Sequence, residues 1–237
     1  MHTRPRAPGS VLVVVGVLSA SGVSATLGGC SRAPSQSQGG AGLTGSGGTP
    51  SETLNRLLAA REQRAYRDIK SLIVPEHAEE VISYLMAVDD FLFANRELCD
   101  YVRNEVGLGL AQNIDQSYFA GMIDVFSPYV KILDEIIEGD MATVSFQVND
   151  KLPVKRARLR RVGGVWLYEP GPGYTPQLPQ AFLRMAHGLR QTLQEIKCGR
   201  LSPRALRDDP ELLAREVQVR LQSGVDLLKR PAQRDGE

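Results

Sequence analysis

Residues 139–171 read GDMATVSFQVNDKLPVKRARLRRVGGVWLYEPG, and here the hydrophobic period of the chain switches from that of a helix to that of a strand. Ala142, Val144, Phe146 and Val148 alternate with Thr143, Ser145 and Gln147, as in a strand with one buried face. A second strand over 154–162 and a third over 165–168 flank Gly163-Gly164. Two glycines between strands signal a hairpin, because the tightest turns need positive φ at both central positions. That turn sets Val162 against Val165, Arg161 against Trp166, Arg160 against Leu167 and Leu159 against Tyr168. Trp166 and Tyr168 then share a face with Ala157 and Leu159.

Helical spacing surrounds this meander. Thr49-Pro50-Ser51-Glu52 combines a cap, a proline suited to the first helical position and a capping-box glutamate, and Leu54, Leu57, Leu58, Ala65, Ile69, Leu72 and Ile73 follow. Pro75 ends or bends that helix. A second helix over 76–106 carries Val81, Ile82, Leu85, Val88, Leu92, Cys99 and Val102 up to Gly107, and 107–109 form a loop. A third helical stretch covers 115–126 and restarts at Ser127-Pro128, with Val130, Leu133, Ile136 and Ile137 apolar and Asp134, Glu135 and Glu138 polar, stopping at Gly139. After the proline-rich 169–179, helices are expected over 180–197 and from Asp209-Pro210 to 229. The expectation is an α+β fold: helices packed on a short antiparallel β-meander, with additional C-terminal helices and a disordered N-terminal leader and linker.

The leader has Arg4 and Arg6 ahead of an uncharged run, VLVVVGVLSASGVSATLGGC over 11–30, the layout of a secretory signal. Its last four residues, Leu27-Gly28-Gly29-Cys30, resemble the lipobox of bacterial lipoproteins. The resemblance implies cleavage before Cys30, diacylation of Cys30 and attachment to the membrane through acyl chains; Ser31, in place of an aspartate, implies the outer membrane, facing the periplasm. Two or more chains anchor stably where one holds only marginally. An uncleaved membrane helix is disfavoured by the serines, Thr26 and glycines that thin the run, and an ordinary cut near Ser24 or Ala25 is the other alternative. Residues 31–48, SRAPSQSQGGAGLTGSGG, read as a flexible spacer. The expected organisation is a signal peptide over 1–29, a lipidated cysteine and Gly/Ser linker over 30–50, an α+β domain over 51–200 and a C-terminal helix and tail over 201–237.

Removing 1–29 takes away Arg4 and Arg6 and no acid, leaving 26 basic against 27 acidic residues, so no charge argument favours nucleic acid. With Cys30 acylated, Cys99 and Cys198 remain in a disulfide-permissive compartment, where they form a bridge or stay as small buried side chains.

Few residues point to chemistry. His77 and His187 stand alone, so neither a metal site nor a catalytic dyad is expected, and no cofactor fingerprint occurs among the glycines. Asp89-Asp90 reads as a solvated acidic face, and Arg96 and Arg103 lie a turn either side of Cys99. Arg156, Arg158 and Arg160 share one strand face, with Lys155 and Arg161 opposite; they would meet an anionic partner or pair with acids such as Glu135 and Glu138. Trp166 and Tyr168 would line a pocket or fill the core.

EGDMATVSFQV and LRRVGGVWLYEPG resemble the later strands of NTF2-like, or cystatin-like, domains, over about 35 residues, although long helices after the strands depart from that family. Two functions follow as expectations: a lipid-anchored cell-envelope protein whose soluble domain binds or scaffolds another protein or envelope component, or an NTF2-like small-molecule-binding or enzymatic domain on the same tether. No catalytic residue carries over from the resemblance.

Overall fold

A computed structural model describes residues 48–171, 174–175 and 177–229. The signal segment, Cys30 and nearly all of the spacer lie outside the described residues. Within them the fold is α+β. Helices α1 (Pro50–Glu62), α2 (Tyr66–Ser71), α3 (Pro75–Glu105) and α4 (Leu108–Asn113) precede strands β1 (Val130–Glu138), β2 (Met141–Val148), β3 (Lys151–Val162) and β4 (Val165–Glu169). Helices α5 (Gln177–Lys197), α6 (Pro203–Asp208) and α7 (Pro210–Lys229) follow.

The sheet is antiparallel throughout, in the order β1-β2-β3-β4. Two-residue turns join its strands at Gly139-Asp140, Asn149-Asp150 and Gly163-Gly164. Asn149, Asp150 and both glycines of the last turn take positive φ, as tight hairpins require. The hairpin register matches the expectation, with Arg161 opposite Trp166 and Leu159 opposite Tyr168. Ala142, Val144, Phe146, Ala157, Leu159, Trp166 and Tyr168 form the buried face.

Residues 130–138 are a strand, not the helix expected from their spacing. The apolar positions fit both periods, and a bulge between Ile132 and Asp134 breaks the alternation that would have identified a strand. Residues 115–126, also expected as α-helix, instead contain two 3-10 turns, Ser117–Met122 and Asp124–Phe126. Their start is tied to α3: Asn95 Nδ2 donates to Asp115 Oδ1 (2.8 Å), and Gln116 N donates to Asn95 Oδ1 (3.0 Å). The first expected helix is broken into α1 and α2 at a corner where Arg64 takes φ +54°, and α4 and α6 are short helices that periodicity does not reveal.

Helix α1 lies on the sheet; α3 packs on α5, and α5 on α7. The capping box of α1 is formed, Thr49 Oγ1 accepting from Glu52 N (3.1 Å) and Glu52 Oε2 from Thr49 N (2.9 Å). Ser51 N donates to Glu135 Oε2 of β1 (2.9 Å), so a strand carboxylate faces the positive end of that helix. At the other edge, Tyr168 N donates to Leu72 O (2.8 Å) and Val74 N to Tyr168 O (3.0 Å), fastening the α2–α3 link to β4. Edge-to-face contacts of Phe182 with Tyr84 and Phe91 join α5 to α3. Leu206, Leu213, Val217 and Leu221 bring α6 and α7 into the same core.

Candidate functional site

The corner between α1 and α2 places three polar side chains around one carboxylate. Arg61, in the last turn of α1, donates to both oxygens of Asp89 on α3 (2.6 Å each), and Tyr66, the first residue of α2, donates its hydroxyl to Asp89 Oδ2. Arg64 Nε lies 3.8 Å from the same oxygen. Arg61 and Asp89 side chains are each only 11% exposed. Burial works against the charge on Asp89, but the hydrogen bonds from Arg61 and Tyr66 and the field of both arginines outweigh it and hold the carboxyl below its usual range. Burial, then the hydrogen bond to Asp89, pushes Tyr66 up to about 12. Asp89 is thus a saturated carboxylate that clamps three helices together, not the solvated acid expected.

This cluster forms one end of a cleft of about 620 Å³ between α1, α3 and the start of β1. Leu58, Ala59, Leu92, Phe126, Pro128 and Val130 give it an apolar wall, with Glu62 and Arg64 beside the clamp. Tyr129, 81% exposed and at φ +59°, stands at its rim. Ser127, also in the lining, has its Oγ buried without a hydrogen-bond partner among the described residues. The size is that of a small-ligand site, and an apolar body with a polar end would match the lining.

Trp166 and Tyr168 are 1% and 3% exposed and line neither this cleft nor the groove between α5 and α7. Tyr168 meets Phe126 edge to face, and the Arg161 guanidinium lies 4.6 Å above the Trp166 ring. The arginine row lies on the opposite face of the sheet, beside Met141, Thr143 and Ser145. Arg158 pairs with Glu169 (3.0 Å), and Arg160 pairs with Glu76 (2.8 Å) and lies 3.7 Å from Glu169. The acids are therefore not Glu135 and Glu138, and only Arg156 of the three lacks a carboxylate partner among the described residues.

Cys99 is buried in α3 and Cys198 is exposed just beyond α5; both are free thiols in this structure, with no bridge between them. Burial, supported by nearby Asp115, pushes the Cys99 thiol up to about 11, outweighing the opposing influence of Arg103. Among the described residues no group of three or more His, Cys, Asp or Glu side chains gathers as metal ligands, and no helix is long and apolar enough to cross a membrane.

Sequence pattern alone leaves Arg61 unmarked and places Asp89 on a solvated face. The available signal was their position: Arg61 follows Leu57 by one turn, and Asp89 falls between Leu85 and Leu92 on the apolar stripe of its helix. No protein-family model, curated protein or solved structure matches this chain.

Proposed function

We propose that this chain is a lipid-anchored protein of the bacterial cell envelope, acylated at Cys30 and held at the outer membrane facing the periplasm, whose folded unit is a binding module. Leu27-Gly28-Gly29-Cys30 after an uncharged apolar run supports the anchor, and the Gly/Ser spacer supports a tethered domain. The observation that carries the binding assignment is the cleft at the α1–α3 clamp, an apolar wall with the internally paired Arg61 and Asp89 at one end. The filled interior around Trp166 turns the assignment away from a pocket in the sheet. The ligand is a protein or envelope component that inserts an apolar group past Tyr129. The cleft's volume also favours a second reading, a small molecule held on the same tether in the manner implied by the NTF2-like resemblance.

Labelling with a palmitate analogue in cells making wild type or Cys30→Ala tests the anchor, and equal incorporation would refute it. For the cleft, a photo-crosslinking amino acid replaces Tyr129. A discrete protein adduct that disappears with Leu92→Arg supports the first reading, and an adduct of small mass supports the second. Crosslinking unaffected by Leu92→Arg overturns the binding assignment.

A further inference from the structure

We propose that the groove between α5 and α7 is a binding site for a phosphate group. Arg184, His187 and Gln191 stand at one-turn intervals on α5, and Arg220 and Ser223 face them from α7. Together with Leu183 they line a groove of about 350 Å³. Every polar side chain in that lining carries a hydrogen-bond donor, Gln191 also bonding Glu195, and no carboxylate lines it. Gly188 makes the juxtaposition possible: a Cβ there would sit 2.8 Å from the Arg220 carbonyl oxygen, so only a bare backbone lets α7 lie this close to α5.

Arg220 carries the argument. Its Nη2 is held from one side by Glu195 (2.6 Å) and Glu216 (2.9 Å), which fixes the guanidinium plane. Arg220 lines the groove, and its Nη1 is buried with no hydrogen-bond acceptor among the described residues. A buried donor left unmade is costly, and an oxyanion in the groove supplies the missing acceptor. Arg184 is exposed at the mouth with no carboxylate partner among the described residues, so its guanidinium stays available to an anion in the groove. A carboxylate would be satisfied by one guanidinium fork, whereas donors converging from two helices suit a group with three or more oxygens. The phosphate belongs either to a soluble phosphate compound or to a phospholipid headgroup. The site does not depend on acylation of Cys30.

The test uses the full-length chain carrying Cys30→Ala, so that acyl chains do not contribute. Inorganic phosphate is titrated at constant ionic strength while the His187 ring and Gln191 side-chain amide signals are followed by NMR. In parallel, the chain is floated with phosphatidylcholine vesicles with and without phosphatidylglycerol. Arg184→Glu is expected to weaken binding about tenfold or more, the loss of one charged phosphate contact. Arg220→Lys keeps a cation beside Glu195 and Glu216 but removes the fork, and is expected to weaken binding as well; unchanged thermal unfolding of Arg184→Glu shows that its effect is local. Saturable shifts with inorganic phosphate, weakened by Arg184→Glu, with flotation equal for both vesicles, identify a soluble ligand. Recruitment only to phosphatidylglycerol vesicles, lost in Arg184→Glu, identifies a headgroup. Absence of saturable shifts together with flotation indifferent to Arg184→Glu, or shifts that the variant leaves unchanged, overturns the proposal.

Discussion

Replacing Asp89 by asparagine keeps the side-chain shape and removes its charge, leaving Arg61 buried opposite a neutral amide. Both side chains are only 11% exposed and the guanidinium donates to both carboxylate oxygens, so water cannot readily take over the lost contacts. Breaking such a buried pair from one side costs about 3 to 5 kcal/mol. For a unit of this size that lowers Tm by about 10 °C. Tyr66→Phe removes one hydrogen bond to a charged acceptor and costs about 1.5 to 3 kcal/mol. Urea unfolding followed by circular dichroism measures both. Because the folded-state pKa of Asp89 lies below the unfolded value, its ionised form stabilises the fold above the unfolded pKa. The gap between wild type and Asp89→Asn is therefore constant from pH 7 to about 5 and shrinks below about 4, the unfolded aspartate range. Arg61→Met combined with Asp89→Leu removes both charges and should recover more than half of the single-variant loss. A cost of Asp89→Asn under about 1 kcal/mol, or a gap that widens in acid, would refute the clamp.

Trp166→Ala should cost about 3 to 5 kcal/mol, since the ring is 1% exposed and carries Arg161 on its face; a urea-melt loss below about 1 kcal/mol would mean the sheet face is not a filled core. In the folded full-length Cys30→Ala chain, iodoacetamide at pH 7.5 should modify Cys198 and spare Cys99, whose raised pKa and burial suppress the thiolate, giving one adduct by intact mass and two after unfolding. Two adducts forming at similar rates in the folded chain contradict that placement, and none after unfolding without reductant would reveal a bridge. Gly188→Ala pushes a methyl group against the Arg220 carbonyl and should cost about 1 to 3 kcal/mol in the same urea assay; a loss under about 0.5 kcal/mol would show that α5 and α7 can separate freely.

The hairpin register, the capped start of α1, the end of α5 and the extent of α7 are all legible in the chain, because each rests on a local rule: two glycines between strands, a cap and its partner three residues on, a period sustained over many turns; α5 itself starts three residues before the expected 180, at Gln177. Strand β1 is not legible. Its apolar residues satisfy helical spacing, and its bulge hides the alternation; only pairing with β2 selects the extended form. The likeness of Leu27-Gly28-Gly29-Cys30 to a lipobox is likewise a matter of sequence alone, residues 1–47 lying outside those described. The candidate sites needed tertiary structure. Arg61 and Asp89 are 28 residues apart, and the α5–α7 groove joins His187 to Arg220 across an intervening helix. Periodicity reports which face of an element is apolar, but not which distant element covers it. Whether a charge on that face becomes a buried clamp, or a set of donors becomes a shared groove, is decided only when the helices pack.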